Sequence, residues 1–316
     1  MRLNDPNVVL LVGGVGGAKL AYGMAKVLPP DRLTIVVNTG DDFWLYGLKI
    51  CPDIDTILYT LAEVVNRDNG WGLANDTFVT LESLRNLGDD AWFRLGDRDL
   101  ATHMRRTKLW QQGESLTEIT RTIATRLGVQ HPILPMTNTE MPTVVETAEH
   151  GEMDFQSYFV QHRWQPRAVR IFSRIEQGTS IPDAVRQAVD GADAIVIGPS
   201  NPWLSINPIL SVPGLRDMIS GKPVPRIAVT PVIQGQAVKG PTAKIMRELG
   251  YAVSPQAVAG FYSHVINGFV IDQRDEMRSS GPEPHIHVAD TFMDTDDKRI
   301  QLAEHVLDWI KELRPV

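Results

Sequence analysis

The fold of this chain is decided by residues 8–17, which read VVLLV and then GGVGG. A short continuous run of aliphatic residues predicts a buried parallel strand, and the glycines directly after it predict a tight turn. Lys19 to Leu28 then carries apolar residues at helical spacing and ends at Pro29-Pro30. A second apolar run, Leu33 to Val37, follows. The opening is therefore strand, glycine turn, helix and strand, which is a βαβ unit.

The second half of the chain repeats this alternation of apolar runs and helical patterns. Predicted strands at Ala194 to Ile197, Arg226 to Thr230 and Val265 to Ile271 are each followed by glycine, proline or aspartate. The alternation predicts an α/β fold with an open, mostly parallel sheet and helices on both faces. Helical patterns dominate the middle of the chain. We therefore expect residues 1–60 and 166–316 to form the core, and residues 61–165 to form a smaller, mostly helical insertion with a few strands near its end.

The composition excludes several classes of protein. Of 316 residues, 31 are Lys or Arg and 38 are Asp or Glu, so the formal net charge is −7, which argues against a broad nucleic-acid surface. A hydrophobic fraction of 43% is enough for a large core. No apolar run approaches the roughly 18 residues of a membrane span, and the first seven residues are too polar to begin a signal peptide. We expect a cytoplasmic protein. The single cysteine, Cys51, excludes an intramolecular disulfide and a multi-cysteine zinc site.

The Gly13 to Gly17 turn lies where α/β proteins bind phosphate, because glycines let backbone N–H groups approach an anion at a helix N-terminus. Neither standard motif is present. Gly14 and Gly16 fit the dinucleotide fingerprint, but Lys19 stands at its third glycine, and Ala18 stands where the P-loop requires glycine. The alternative interpretation is a glycine turn needed only for tight packing.

Carboxylates cluster after the second strand, at Asp41, Asp42, Asp53 and Asp55. Hard oxygen ligands of this kind suit Mg²⁺, which usually takes one or two carboxylates together with substrate phosphates. Two such pairs near the glycine turn indicate a metal and nucleotide site. The alternative is that Asp53 or Asp55 caps a helix predicted through Thr56 to Val65.

Two further loops carry polar groups. Gly198 to Pro202 places hydroxyl, amide and backbone groups directly after a strand, and a later glycine turn carries Lys239 and Lys244, which suit a diphosphate. Ordinary turn chemistry is the alternative for both. In Leu95 to His103, Asp97 and Asp99 fit a helix cap or a surface ion pair. His103 lies one helical turn after Asp99, but this segment alone does not form a metal triad of His and carboxylates.

Taken together, these segments resemble one family in their order and spacing. The resemblance extends from about Val8 to about Ala303 and rests on Gly13 to Leu20, Asn38 to Asp42, Cys51 to Thr56, Trp71-Gly72, Asn75 to Thr77, Leu95 to His103, Gly198 to Pro202 and Ala289 to Thr291. The family is the phospholactate or phosphoenolpyruvate transferases of deazaflavin coenzyme F-420 biosynthesis.

This resemblance implies a Rossmann-like core with a smaller, mostly helical part, dependence on Mg²⁺ and a homodimer. It implies that the acceptor is the 5-deazariboflavin Fo and the donor is a guanosine diphosphate derivative carrying lactate or enolpyruvate, with GMP released. By matching positions, Asp55 and Arg94 resemble the Fo-contacting pair, although some members have Lys at the place of Arg94. The implied nucleotide and diphosphate contacts are Gly13, Gly14, Gly16, Gly17, Lys19, Asn38, Gly198, Pro199, Ser200 and Asn201.

A mechanism follows as a hypothesis. The terminal hydroxyl of Fo attacks the phosphorus that bears the three-carbon acid, and catalysis depends on alignment and charge neutralisation. Asp42 and Asp55 are the predicted catalytic residues and would hold Mg²⁺ on the diphosphate. Asp55 could instead orient or deprotonate the hydroxyl, and the sequence leaves these roles open. It also leaves open whether the acid is lactate, enolpyruvate or glycerate.

Parts of the sequence also fit two other functions. A related group of non-catalytic regulatory proteins that bind nucleotide sugars resembles this chain in the glycine turn and in Asn38 to Asp42. Such a protein would leave Arg94 and Leu95 to His103 unexplained. A nicotinamide-dependent oxidoreductase expects an acidic residue after the second strand, which Asp41 or Asp42 supplies, but it also expects a glycine at position 19.

Overall fold

A seven-stranded parallel sheet forms the centre of the protein. The computed structural model describes residues 5–238, 240–277 and 284–313. The strands are β1 (Val8–Val12), β2 (Leu33–Val37), β3 (Phe43–Leu45), β4 (Leu48–Ile50), β5 (Ile133–Pro135), β6 (Thr143–Thr147), β7 (Gly151–Asp154), β8 (Ala168–Ser173), β9 (Ala194–Ile197), β10 (Arg226–Val229), β11 (Val232–Ile233), β12 (Gln236–Ala237), β13 (Gly268–Asp272) and β14 (His285–Ala289). In the described residues the central sheet has the order β14-β13-β10-β9-β1-β2-β5, with every neighbouring pair parallel.

Helices cover both faces of this sheet. They are α1 (Gly14–Val27), α2 (Pro52–Leu61), α3 (Val79–Asn86), α4 (Asp97–Gln111), α5 (Leu116–Arg126), α6 (Asp183–Asp190), α7 (Asn207–Ser211), α8 (Leu215–Ser220), α9 (Thr242–Glu248), α10 (Pro255–Phe261) and α11 (Asp296–Glu312). Two short π-helical segments, Ser157–Gln161 and Pro202–Ile206, precede β8 and α7.

The buried run of β1 explains why the sheet is covered on both sides. Val8, Leu10 and Val12 pack into one apolar cluster with α1, α2 and α11, whereas Val9 and Leu11 pack into a second cluster with α6 to α10. Successive strand residues point to opposite faces, so a run without polar residues requires two covered faces. The predicted α/β fold with a mostly parallel sheet is confirmed.

The segment 61–165 contains α3, α4 and α5, but it also supplies a strand to the central sheet. β5 pairs in parallel with β2, with Ile35 opposite Ile133. The strands near the end of the segment, β6 and β7, form an antiparallel sheet with β8 in the order β7-β6-β8. The predicted domain limits therefore cut through the central sheet at β5, and the division into core and insertion stays a prediction.

The strand order reverses direction at β1, which has β2 on one side and β9 on the other. In open α/β sheets, ligands bind beyond the carboxyl ends of the strands at such a switch point. We therefore expect a ligand-binding site at the turns after β1 and β9. Among the described residues, no helix combines the length and apolar character that crossing a membrane requires.

Candidate active site

The turn after β1 and the turn after β9 pack directly against each other. The backbone N–H of Gly13 donates to Oγ of the buried Ser200 at 3.1 Å. A Cβ atom added at Gly16 would lie 2.4 Å from the carbonyl oxygen of Pro199, far inside van der Waals contact. The structure thus brings the two predicted nucleotide-binding turns together, and it gives glycine at position 16 a packing role between them.

The other glycines of this turn belong to the start of α1. Gly14 has a φ of +64°, a left-handed conformation that favours glycine, and its N–H donates to Oδ1 of Asp53 at 2.7 Å. Gly17 lies against Ser200, where an added Cβ would come within 2.6 Å of Oγ. Gly198 precedes that serine in the β9 turn. The first turn of α1 therefore already has a carboxylate of the protein as a partner.

Two other predicted donor contacts have partners within the protein. Nζ of Lys19 donates to the carbonyl of Met293 at 2.8 Å. Oδ1 of Asn201 accepts from the N–H groups of Trp203 and Leu204, both at 3.0 Å, and so begins the π-helical segment after β9. These contacts fix the position of both side chains, and their predicted roles toward a nucleotide stay predictions.

Of the two lysines predicted to contact a diphosphate, Lys239 and Lys244, the structure describes only Lys244. Nζ of Lys244 lies 2.9 Å from the carbonyl of Pro166 and 2.7 Å from Oε2 of Glu248, so it joins α9 to the segment before β8. Lys239 lies outside the described residues.

Asn38 connects three of the polar groups at this edge of the sheet. Its buried Nδ2 donates to Oδ1 of Asp41 and, at 3.0 Å, to Oδ2 of Asp53, while its Oδ1 accepts from the N–H of Gly40 at 2.8 Å. Burial raises the pKa of Asp53 to about 6, and burial together with the charge of Asp53 raises the pKa of Asp41. A single amide therefore holds two buried carboxyl groups next to the start of α1.

Asp42 carries a carboxyl oxygen that the protein does not satisfy. Its Oδ1 is buried and has no hydrogen-bond partner among the described residues. Burial raises the pKa of Asp42 to about 7, although the charges of Lys49 and Arg106 oppose the shift. A buried carboxylate without a partner is costly, and a divalent cation would relieve that cost. This single oxygen fits one ligand position of Mg²⁺.

Asp55 forms a buried ion pair with Arg106 of α4. Nη1 of Arg106 donates to Oδ2 of Asp55 at 3.0 Å, and Nη2 donates to Oδ1. Burial raises the pKa of Asp55 and the guanidinium opposes that rise. Burial alone would lower the pKa of Arg106, but the carboxylate more than offsets it and raises that pKa. Neither Asp53 nor Asp55 caps α2, since Cys51 stands at its N-cap.

His103 and Asp99 extend this network along α4. Nδ1 of His103 lies 3.1 Å from Nη1 of Arg106, and its Nε2 lies 3.3 Å from Oδ1 of Asp99 without regular hydrogen-bond geometry. The hydroxyl of Tyr59 donates to the same Asp99 oxygen at 2.6 Å. The Leu95 to His103 segment alone lacks a third metal ligand, and Asp55 of α2 supplies one. Ligand atoms of Asp55, Asp99 and His103 lie within 4.8 Å of one another. This trio is a second possible cation site, although Arg106 already pairs with Asp55.

Arg94 borders a cavity that adjoins this network. The cavity has a volume of about 240 Å³, and its walls include Asn66, Trp71, Asn75, Asp76, Phe78 and Asp99. Cζ of Arg94 lies 4.3 Å from the centre of the Phe78 ring. Asp99 therefore faces both this cavity and His103, so the α4 network that includes Asp55 reaches the cavity that Arg94 borders.

The carboxylates of Asp76 and Asp97 stabilise the wall of the cavity by capping two helices. Asp97, predicted as a cap of its own helix, accepts instead from the N–H groups of Val79 and Thr80 at the start of α3, both at 2.9 Å. Asp76 accepts from the N–H groups of Arg98 and Asp99 at the start of α4, at 2.8 and 3.1 Å. The start of α4 is thus capped from the segment before α3, and the start of α3 is capped by the first residue of α4.

Arg106 is the residue that sequence reasoning missed. Asp99, His103 and Arg106 are spaced by four and three residues, so they share one face of a helix. Three titratable residues on one helical face were a usable signal. The face is buried against α2, with Arg106 and His103 at 0% and 2% exposure.

Comparison with known proteins identifies the family. A family model described as 2-phospho-L-lactate transferase CofD matches residues 8–306. The chain belongs to this family. It is 39% identical over 303 residues to the 2-phospho-L-lactate transferase of Methanosarcina mazei, covering 95% of this chain and 99% of that protein. It is 36% identical over 319 residues to the phosphoenolpyruvate transferase of Streptomyces griseus, covering 97% of this chain and 99% of that protein.

The CofD family membership confirms the enzyme class expected from the sequence, a transferase of phosphate-containing groups. A solved structure of a UPF0052 family protein from Bacillus halodurans is also similar. Its TM-score is 0.58 at 18% identity, and the match covers 87% of this chain and 83% of that one. This likeness shows a shared fold.

Proposed function

We propose that this CofD family member transfers a phospholactyl or phosphoenolpyruvyl group from a guanosine diphosphate donor to the deazaflavin Fo, releasing GMP, in coenzyme F-420 biosynthesis. The same family membership is the ground for proposing a homodimer located in the cytoplasm. Asp55 and Arg94 would contact Fo, and the turns after β1 and β9 would contact the nucleotide and diphosphate.

One observation carries this proposal. In the first turn of α2, Asp53 contacts the glycine turn that follows β1, through the N–H of Gly14. Asp55 contacts Arg106 of the α4 network, which reaches the cavity bordered by Arg94. This arrangement supports the proposal that the two substrates meet at one helix end. The charge of Asp42 raises the pKa of Asp41, and the charge of Asp55 raises the pKa of Asp42, so the three carboxyl groups influence one another.

The proposed step is a direct transfer. The hydroxyl oxygen of Fo forms a bond to the phosphorus that bears the three-carbon acid, and the bond from that phosphorus to the bridging oxygen breaks. GMP leaves with the electron pair, and the hydroxyl proton passes to Asp55. Arg106 occupies one direction on each Asp55 oxygen, and a carboxylate has about four acceptor directions in all. Asp55 thus retains the capacity to accept from the hydroxyl and orient it.

Mg²⁺ would be held by Asp42, whose buried oxygen has no partner among the described residues, and would neutralise charge on the diphosphate. Asp55 as a second ligand stays a prediction, because Arg106 contacts both of its oxygens.

The test is incubation of the full chain with Fo, Mg²⁺ and each guanosine diphosphate donor in turn, carrying lactate, enolpyruvate or glycerate, with products identified by mass. We expect one donor to give the Fo phosphodiester and an equal amount of GMP. Omitting Mg²⁺ should stop product formation. Binding of nucleotide sugar without product from any donor would contradict the proposal and support a regulatory protein.

A further inference from the structure

Arg106 divides its guanidinium between two side chains. Nη1 contacts both Oδ2 of Asp55, at 3.0 Å, and Nδ1 of His103, at 3.1 Å. All three side chains are buried, with exposures of 0% for Arg106, 2% for His103 and 5% for Asp55. Water therefore does not compete for these contacts, which hold Arg106 together with a longer one from Nη1 to the carbonyl of Lys49, at 3.5 Å.

The contact with Arg106 decides which nitrogen of His103 carries the ring proton. A guanidinium has donors and no acceptor, so the nitrogen facing it must accept. Nδ1 is then unprotonated, and the proton lies on Nε2, which faces Oδ1 of Asp99 at 3.3 Å. A proton on Nδ1 would place two N–H groups against each other at 3.1 Å and push Arg106 away.

His103 also lies between the cavity and Asp55 along α4. Asp99 borders the cavity, His103 is one turn further and Arg106 is the next. Asp55 and Tyr59 present the matching face of α2, since Tyr59 contacts Asp99 and Asp55 contacts Arg106. Two helices are thus paired by alternating donors and acceptors, with the imidazole in the middle.

We propose that His103 is a positioning residue for the transfer reaction: its Nδ1 accepts from Arg106 and so holds the guanidinium, and through it the Asp55 carboxylate, in line with the acceptor hydroxyl. This inference rests on the proposed function. It assigns His103 no contact with substrate, because Asp99 and not His103 borders the cavity and His103 is only 2% exposed, although its Nδ1 lies 3.7 Å from Oδ2 of Asp55.

Two substitutions at His103 distinguish the role of Nδ1 from the role of Nε2. In His103→Asn, the amide oxygen takes the place of Nδ1 and still accepts from Arg106. In His103→Gln, the amide nitrogen reaches the place of Nε2 and still contacts Asp99, but the acceptor for Arg106 is lost. His150→Gln changes a histidine on the distant β6–β7 turn and is the control.

We expect the His103→Asn enzyme to turn over at close to the wild-type rate. The His103→Gln enzyme should lose roughly tenfold to a hundredfold in kcat, because a displaced reacting group costs about that much. Its KM for Fo should change little, since the cavity walls are intact. Urea unfolding of both variants shows whether they fold, and His150→Gln should match wild type in both assays.

Several outcomes would overturn the inference. Equal kcat for both His103 variants would do so, as would a loss confined to His103→Asn, because the acting nitrogen would then be Nε2. If neither variant folds, or if only His103→Gln unfolds, the contact serves the fold and not the reaction. A wild-type chain that forms no product from any donor overturns the proposed function as well. Normal wild-type turnover with equal kcat in the two His103 variants overturns only the inference about His103.

Discussion

Asp53 and Asp55 are two positions apart on α2 and contact different parts of the protein. Oδ1 of Asp53 accepts from the N–H of Gly14 at 2.7 Å, while Oδ2 of Asp55 accepts from Arg106 at 3.0 Å. Residues two apart on a helix are rotated by about 200°, so they face nearly opposite sides. One helix end therefore positions a carboxylate at each of the two proposed substrate sites.

The first prediction concerns Asp55. Asp55→Asn keeps the shape of the side chain but removes the charge facing Arg106, and we expect kcat to fall by roughly a hundredfold or more. Leaving the buried guanidinium unpaired should also lower the free energy of unfolding by about 3 to 5 kcal/mol. Rates are measured where urea titration shows the variant folded, with the exposed Asp31→Asn as control. Normal turnover in Asp55→Asn would contradict both the orienting role and the ligand role.

The second prediction concerns the pH dependence of stability. Burial raises the pKa of Asp42 from an ordinary value near 4 to about 7. Between these values the folded protein binds more protons than the unfolded chain. The free energy of unfolding should therefore fall as pH rises from 4 to 7, with at most about 1.4 kcal/mol per pH unit from one such group.

Asp42→Asn should make this slope shallower, and Asp53, whose pKa is raised in the same direction, should account for part of what remains. The measurement is urea unfolding at several pH values in the presence of EDTA. Added Mg²⁺ should stabilise the wild type more at pH 8 than at pH 5, and it should have little effect on Asp42→Asn. Identical slopes in the two proteins would show that the Asp42 carboxyl is not perturbed.

The third prediction concerns the contact between the two turns. Gly16→Ala would place a methyl group 2.4 Å from the carbonyl of Pro199, so the turns must separate. We expect a loss of about 1 to 3 kcal/mol in the free energy of unfolding, together with weaker donor binding. Gly260→Ala is the matched control, because its Cβ meets no atom within 4 Å and Gly260 lies in α10. Equal stability of the two variants would refute the packing role.

The fourth prediction concerns Arg94. Its guanidinium lies over the Phe78 ring at the edge of the cavity, and we expect Arg94→Ala to raise the KM for Fo with a smaller effect on kcat. Arg94→Lys keeps the positive charge and should lie between Arg94→Ala and wild type. Initial rates over a range of Fo concentrations provide the measurement. An unchanged KM in Arg94→Ala would place the acceptor elsewhere.

Much of the fold could be predicted because β1 and β9, at the middle of the central sheet, are unbroken apolar runs, whereas the edge strand β14 alternates histidine with apolar residues and was not predicted. β9 lies where its apolar run predicted, and β10 differs by one residue at its end. β5 was harder, since its three residues end in proline and only its pairing with β2 assigns it to the central sheet.

The site was predictable where its chemistry is local and not where it depends on distant partners. The two turns follow strands that the sequence marks clearly. Arg106 lies 51 positions from Asp55, and nothing in the sequence shows that their helices pack together. The caps show the same limit, because capping rules consider the nearest helix, whereas Asp53 pairs with α1 and Asp97 pairs with α3.

Asp97 caps α3 and Asp76 caps α4, and this arrangement has a consequence for engineering. The wall of the cavity is held where Asp76 and Asp97 accept from backbone N–H groups, and between these two residues Phe78 and Arg94 line the cavity while Leu81, Ala91 and Leu95 are buried. Residues 82–90 are mostly exposed and carry little of the apolar core. New sequences grafted into residues 82–90 alone should therefore leave the wall folded. The surroundings of the proposed acceptor site are thus open to redesign by libraries of residues 82–90 that keep Asp76, Phe78, Arg94 and Asp97 fixed.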